Sequence, residues 1–330
     1  MKCINKRALA GLLIVSVFLS VTGCGKAKSV VENAYPVYGE SSSVNVLSGA
    51  EDTVSSYFGA NLCVGGTENI GQESVEHNSV AEAAGVFNTA TNTITYAQNI
   101  YERMYPASTT KILTAYLAIK YGNLSDVVTI SDNAVNLASD SSKCGLQAGD
   151  QMTLQDLLYG LILRSGNDAA IAIAEHISGS VEAFVDLMNQ EAQQLGATGS
   201  HFMNPNGLPD ENHYTTVYDL YLIFQKAIQD ETFYQLISTS SYTTNYTGAD
   251  GSVKTQDWSS TNQYKTGESK LPDGFTLVGG KTGTTGEAGF CLVLLTDNTG
   301  GQPVISIVLK ADCKSNLYLM MNEILAGCGN

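Results

Sequence analysis

Two β-rich stretches far apart in the chain bracket a helical middle, and that order limits the fold more than any other property of the sequence. Near the start, Ala83 to Phe87 and Thr93 to Ala97 read as strands joined by a turn at Asn88 to Asn92, and Leu62-Cys63-Val64 reads as a further short strand. Near the end, Phe275 to Val278, Phe290 to Leu295 and Val304 to Leu309 are β-forming runs separated by Gly and Asn turns. Between them the period changes. Ile112, Leu113, Tyr116, Leu117 and Ile119 mark a helix ending at Gly122, with Ser108 at its start. Thr153-Leu154-Gln155-Asp156 is close to a capping box, followed by a stripe of Leu154, Leu157, Leu158, Leu161 and Ile162. Asp168 to Ile177 is apolar nearly all round, which predicts a buried helix; Ser180 opens another that stops at Gly196. Leu317 to Ala326 is a closing helix able to cover a sheet. Strands, helices, then strands predict an α+β domain whose terminal parts form one sheet around a helical insertion.

The first residues have a different character. Lys2, Lys6 and Arg7 precede an apolar run from Ala8 to Val21 and then Thr22-Gly23-Cys24. A basic start, a short apolar middle and small residues at the exit describe a secretory signal over residues 1–23. The run is too short for a comfortable membrane span. Val21-Thr22-Gly23-Cys24 resembles a bacterial lipobox, which implies cleavage before Cys24 and a diacylglycerol on its sulfur. Residues 24–56, rich in Ser, Val and Glu with no period, read as a tether with a reach of roughly 30 Å. The folded domain is expected over 57–330, extracytoplasmic and held to the bacterial membrane by lipid alone. The formal charge of −15 becomes more negative once residues 1–23 are removed, so neither nucleic acid nor anionic lipid is an expected electrostatic partner. Beyond Cys24 the cysteines (Cys63, Cys144, Cys291, Cys313, Cys328) are odd in number and scattered, with no disulfide or metal spacing. Cys291, inside Phe290 to Leu295, reads as a buried free thiol. His77, His176, His201 and His213 form no metal motif and read as structural or surface residues; no metal or cofactor is expected.

The chemistry lies in three short motifs: Ser108-Thr109-Thr110-Lys111, Ser165-Gly166-Asn167 and Lys281-Thr282-Gly283. In that order they form a signature of serine acyl-transfer enzymes that move protons with lysine. Ser108 and Lys111, three apart at a helix start, share a face, and the helix N-terminus favours negative charge on the serine oxygen. Lysine becomes a base when burial or a second cation, such as Lys281, lowers its pKa.

Two of the three motifs have competitors. Ser-x-Asn also occurs at Ser43-Val44-Asn45 in the tether, at Ser131-Asp132-Asn133 and at Ser260-Thr261-Asn262. Ser131 follows a strand-like Val127 to Ile130 and reads as a helix cap. Ser165 is preferred because a tight glycine turn between two apolar helices holds a hydroxyl and an amide rigidly. Lys-Thr-Gly recurs at Lys265-Thr266-Gly267, which reads as a plain turn in a polar loop. Lys281 follows an apolar strand and precedes another, so it belongs on the sheet, where Gly283 lets backbone approach a substrate.

Longer blocks carry a resemblance. Tyr105 to Lys111, Gly145 to Asp150, Asp156 to Leu161, Ser165 to Ala169, Asn204 to Leu208, Lys281 to Thr284 and Glu287 to Cys291 resemble, in order, the serine-type D-alanyl-D-alanine carboxypeptidases, the low-molecular-mass penicillin-binding proteins. The resemblance runs from about Ala83 to Ala326. It implies the fold of the β-lactamase/DD-peptidase superfamily, an antiparallel sheet flanked by helices with a helical subdomain. It implies that Ser108 attacks D-Ala-D-Ala in peptidoglycan stem peptides, that Lys111 takes its proton, and that β-lactam antibiotics acylate Ser108. Backbone N–H groups of Ser108 and Thr284 would bind the oxyanion. Ser165 would relay a proton to the leaving D-alanine, Asn167 would position substrate, Lys281 would set the field, and Thr282 would hold the terminal carboxylate. A cation for that carboxylate is also implied, with Lys310 and Lys314 as candidates. Many members carry a second all-β domain and a C-terminal amphipathic anchor; in this sequence Asn330 follows soon after the last helical run, and the N-terminal lipid would take the anchor's place.

Two other functions fit parts of the pattern. A serine β-lactamase should carry a glutamate-bearing loop, yet no Glu-x-x-Leu-Asn segment lies between Asn167 and Lys281. A catalytically silent cell-wall-binding lipoprotein would have no use for an intact Ser108, Lys111 and Lys281.

Overall fold

The computed structural model describes residues 61–328. The signal, Cys24, the whole tether and the Ser43 copy of Ser-x-Asn lie outside the described residues. Among the described residues no helix is long and apolar enough to cross a membrane.

The terminal strands meet as the alternation of textures predicts. β1 (Ala81–Asn88) and β2 (Thr93–Gln98) form a hairpin, and β7 (Thr276–Thr285), β8 (Gly289–Asp297) and β9 (Pro303–Ala311) complete an antiparallel sheet in the order β2-β1-β9-β8-β7. Both faces of its central strands are covered, which explains their unbroken apolar runs. On one face lies α9 (Lys314–Cys328), whose Leu317, Met321, Ile324 and Leu325 pack on Ala84, Val86, Leu292 and Val308. The other face meets the helical region, and Phe87 stacks on Tyr221 with ring centroids 4.1 Å apart.

The helical region comprises α1 (Lys111–Tyr121), α2 (Asp132–Val135), α3 (Leu154–Tyr159), α4 (Asn167–Ser178), α5 (Val181–Gln194), α6 (Val217–Ala227) and α7 (Glu231–Ser238); a short α8 (Gln263–Thr266) follows later. Burial explains α4, whose residues Asn167 to Ala174 are all inside. Thr153 and Asp156 make the complete capping box of α3, satisfying two otherwise orphaned donors.

Three expectations need correction. Leu62-Cys63-Val64 is not a strand: the Cys63 N–H donates to the Tyr221 hydroxyl, and its carbonyl accepts from the Tyr218 hydroxyl. With both groups held by side chains, no strand partner is needed. The middle is not purely helical either. β3 (Val127–Thr129), β4 (Gln151–Thr153), β5 (Ser241–Thr247) and β6 (Val253–Ser259) form a second antiparallel sheet. Lys265 is not in a plain turn but in α8, where its half-buried amine donates to the carbonyls of Ser238 and Val278. The reading of Cys291 holds: it is a fully buried free thiol whose pKa burial pushes up to about 12.

Candidate active site

Ser108 lies in a tight 3-10 turn, Ala107–Thr110, that runs directly into α1. The turn begins with Ala107 at φ 47°, a left-handed conformation that costs a residue with a Cβ. Two glycines hold it from either side. A Cβ on Gly207 would lie 1.8 Å from the Ala107 carbonyl oxygen, and one on Gly283 would lie 3.0 Å from Ser108 N. Strand β7 and the Asn204–Leu208 segment thus close on the turn at two points where no side chain fits.

Lys111, the first residue of α1, is wholly buried. Its Nζ lies 2.8 Å from Ser108 Oγ, 2.7 Å from Asn167 Oδ1 and 2.6 Å from the Asn206 carbonyl oxygen. Two of these partners can only accept. A neutral amine has two hydrogens and one lone pair, so the two carbonyl oxygens take the hydrogens and the lone pair faces the Ser108 hydroxyl. Burial pushes the Lys111 pKa well below the usual lysine range, with nearby Lys281 adding to the effect and Asp168 opposing it. The amine is therefore poised as a base.

Lys281 faces inward from β7, and burial lowers its pKa to about 7. Its Nζ lies 2.9 Å from Ser165 Oγ and 2.9 Å from the Thr282 carbonyl oxygen. Side chains alternate along a strand; Thr282, next in line, meets Thr261 with hydroxyl oxygens 2.5 Å apart. The left-handed residue of the Ser165 turn is Ser165 itself, at φ 60°, whereas Gly166 is extended. The turn follows a wider, π-type helical turn, Gly160–Arg164, of the kind common at functional sites.

Asn167 joins the site to a loop. It donates its Nδ2 to Ser141 Oγ at 2.6 Å and its backbone N–H to the Ser142 carbonyl at 2.8 Å. The adjacent Asp168, buried, accepts the N–H groups of Cys144, Gly145 and Leu146. From the second sheet, Gln256 and Trp258 donate to the Cys144 carbonyl. The unforeseen sheet therefore has a role: it props the loop beside Ser108.

An open cleft passes over Ser108, lined by Ser165, Thr261, Thr282, Thr284 and Lys314. Of the two candidate cations, Lys314 lines this cleft, whereas Lys310 pairs with Glu82 at 2.7 Å beside a separate depression. A neighbouring groove on the other side of Ser108 includes Ser141, Asn167, Asn206, Thr284 and Glu287.

Residues 70–313 match the family model of D-alanyl-D-alanine carboxypeptidase. The chain belongs to that family. It is similar to the D-alanyl-D-alanine carboxypeptidase DacF of Bacillus subtilis, at 34% identity over 265 residues, covering 77% of this chain and 64% of that protein. It is also 35% identical over 267 residues to the D-alanyl-D-alanine carboxypeptidase of Streptomyces sp. strain K15, covering 77% and 89%. The crystal structure of the Streptomyces K15 DD-transpeptidase superposes with a TM-score of 0.68 at 32% identity, over 75% of this chain and 97% of that one. With the Haemophilus influenzae DacA the chain shares 36% identity but spans only 52% of its length. The mixed fold of sheets and helices is that of these DD-peptidases.

The geometry separates the motif copies. Ser108, Ser165, Thr282, Gly283 and Thr284 line the cleft, and Lys111, Asn167 and Lys281 join them through hydrogen bonds to Ser108 and Ser165 and between Lys111 and Asn167. Ser131 caps α2, accepting from the Ala134 N–H. The Ser260-Thr261-Asn262 copy contributes only Thr261, through its bond to Thr282. Sequence reasoning missed Ser141, Asn206 and Thr261. Asn206 acts through its carbonyl, which no side-chain pattern reveals, although its block was among those carrying the family resemblance.

Proposed function

We propose that this protein is a serine D-Ala-D-Ala carboxypeptidase that removes the terminal D-alanine from peptidoglycan stem pentapeptides through an acyl-enzyme on Ser108. The observation that carries the reading is the buried Lys111 amine, with two carbonyl acceptors and one hydroxyl as its partners. Ser108 Oγ attacks the carbonyl of the D-Ala-D-Ala bond as its proton passes to Lys111 Nζ. Charge developing on the carbonyl oxygen is met by the N–H groups of Ser108 and Thr284. Ser165, bonded to Lys281, relays a proton to the leaving D-alanine nitrogen. Thr282, Thr261 and Lys314 hold the terminal carboxylate in the open cleft. Water then attacks the ester and frees the serine.

A β-lactam enters the same path and stops at the ester. Intact-mass spectrometry after penicillin treatment should show one adduct, on the peptide containing Ser108 and absent in Ser108→Ala. Acylation that persists in Ser108→Ala overturns the assignment, and a chain that takes no label at all favours the silent wall-binding lipoprotein. Rapid release of hydrolysed penicillin favours the β-lactamase. Transpeptidation is the second reading, because the superposed Streptomyces K15 protein is named a DD-transpeptidase. Product analysis on a defined stem peptide, with and without an amine acceptor, separates water from amine as the second substrate.

The enzyme works outside the cytoplasm, anchored by diacylglycerol on Cys24. Two acyl chains suffice for stable anchoring, at ~0.8 kcal/mol per buried methylene, where one is marginal. The wild type should incorporate a palmitate analogue and Cys24→Ser should not. A mature N-terminus away from Cys24, with no label, removes the anchor but not the enzyme.

A further inference from the structure

His213 is one of the fully buried polar side chains, and the acyl-transfer chemistry leaves it without a task. It precedes α6 and sits edge-on to Phe202, with ring centroids 5.5 Å apart at 89°. Its Nδ1 accepts the Met203 N–H at 3.1 Å, and its Nε2 lies 2.9 Å from Thr110 Oγ1. A backbone N–H can only donate, so Nδ1 carries the lone pair and Nε2 the hydrogen. The ring is neutral and donates to Thr110.

Its two partners sit at telling places. Thr110 lies between Ser108 and Lys111 on the nucleophile turn. Met203 opens the stretch in which the Pro205 carbonyl accepts the Thr114 hydroxyl, the Asn206 carbonyl accepts from Lys111, and Gly207 backs onto Ala107. We propose that His213 is a positioning residue for the Ser108–Lys111 pair: it clips the nucleophile turn to the segment whose Asn206 carbonyl holds the lysine amine. This rests on reading Ser108 as nucleophile and Lys111 as base.

The environment keeps the clip neutral. Burial lowers the His213 pKa to about 4, with His201 and Lys111 acting in the same direction and Asp210 opposing. Lys111 in turn faces Lys281, which lowers its pKa, and Cys144 and Asp168, which raise it. The Asn206 carbonyl also favours the ammonium form, by accepting its hydrogen. If the clip is lost and this carbonyl recedes, the Lys111 pKa falls further. Acylation needs the neutral amine, so its acid limb moves to lower pH.

The test measures acylation by penicillin against pH on the full chain, with thermal melts alongside. His213→Phe should lower the plateau rate at least tenfold and move the acid limb to lower pH. His213→Gln, whose amide can still donate to Thr110, should recover most of both. Thr110→Val cuts the same link from the other end. It should reproduce the loss and add little to His213→Phe, as expected of residues acting through one contact. An unchanged rate in folded His213→Phe overturns the proposal; so does an unchanged rate in Thr110→Val if His213→Phe does not fold. A slower rate with a fixed acid limb also overturns it, because a loosened core alone produces that. A wild type unlabelled at Ser108 removes the catalytic reading itself, whereas normal labelling with indifferent variants removes only this one.

Discussion

Lys281 and Lys265 each open a Lys-Thr-Gly triplet, and both amines are drawn out of water with lowered pKa values. Their partners separate them. Lys265 donates to the carbonyls of Ser238 and Val278, pinning the end of α7 to β7. Neither oxygen can exchange a proton, so this lysine is a staple. Lys281 reaches a hydroxyl, Ser165 Oγ, at the wall of an open cleft. A hydroxyl both gives and takes a proton, which is what the proposed relay requires of this triplet. Burial of a lysine marks a place worth attention; the chemistry of its partner decides what the place does.

The largest effect should come from removing each lysine in turn. Lys281→Ala should slow acylation about 10²–10³-fold, the scale typical of deleting one preorganised polar group from a transition state. Lys265→Ala should leave acylation nearly intact and lower the melting temperature, since abandoning buried carbonyls costs about 1–3 kcal/mol. Penicillin labelling with a thermal melt reads both, and the opposite ranking would mean that the two triplets have been assigned the wrong way round. The serines allow the same comparison. Ser165→Ala should depress turnover severely with little loss of fold. Ser131→Ala should spare acylation and cost ~1 kcal/mol, the value of a helix cap.

The acid limb sharpens the contrast further. Lys281 lowers the Lys111 pKa by charge repulsion. Without it the ammonium form of Lys111 is less disfavoured, its pKa rises, and the limb of the residual Lys281→Ala activity should move to higher pH. Lys265→Ala should not move it; a limb that shifts equally in both variants would show general loosening instead. The smallest difference lies in the glycines. Gly267 is left-handed at φ 79° with open space around it, so Gly267→Ala should cost about 1 kcal/mol of backbone strain and no activity. A Cβ on Gly283 meets Pro106 O and Ser108 N at 3.0 Å, so Gly283→Ala should push strand and nucleophile apart and slow acylation. Equal rates in the two variants would remove the special status given to β7.

What was legible in the sequence was what periodicity and side-chain type carry. The stripe from Leu154 to Ile162, the buried run after Asp168 and the β-rich runs around Cys291 became the elements they described, and the terminal runs did share a sheet. The second sheet was legible only at Val127 to Ile130, which read as strand-like; Gln151–Thr153 has just three residues, and Ser241–Thr247 is built of serine, threonine, asparagine and two tyrosines with no apolar run. In the site, Ser108, Lys111, Ser165, Asn167 and Lys281 could be read because their motifs are made of side chains. Asn206 could not be read as a ligand of Lys111 because its contribution is a carbonyl. Thr261 was hidden because its partner is distant in the chain. The turn read as a tight glycine turn, yet Ser165 itself takes the left-handed conformation that glycine usually adopts.

The bonds of the two site lysines also bear on how the chain folds. Lys111 reaches Asn167 across 56 residues and Asn206 across 95, and Lys281 reaches Ser165 across 116. Each contact closes a long loop, and such closures are entropically costly and slow compared with helix formation. No short segment of the described chain brings both site lysines to their partners. Competence to take a covalent label should therefore appear late in refolding, after helix signal has returned, which makes a fluorescent penicillin a clock for the final docking of sheet and helices.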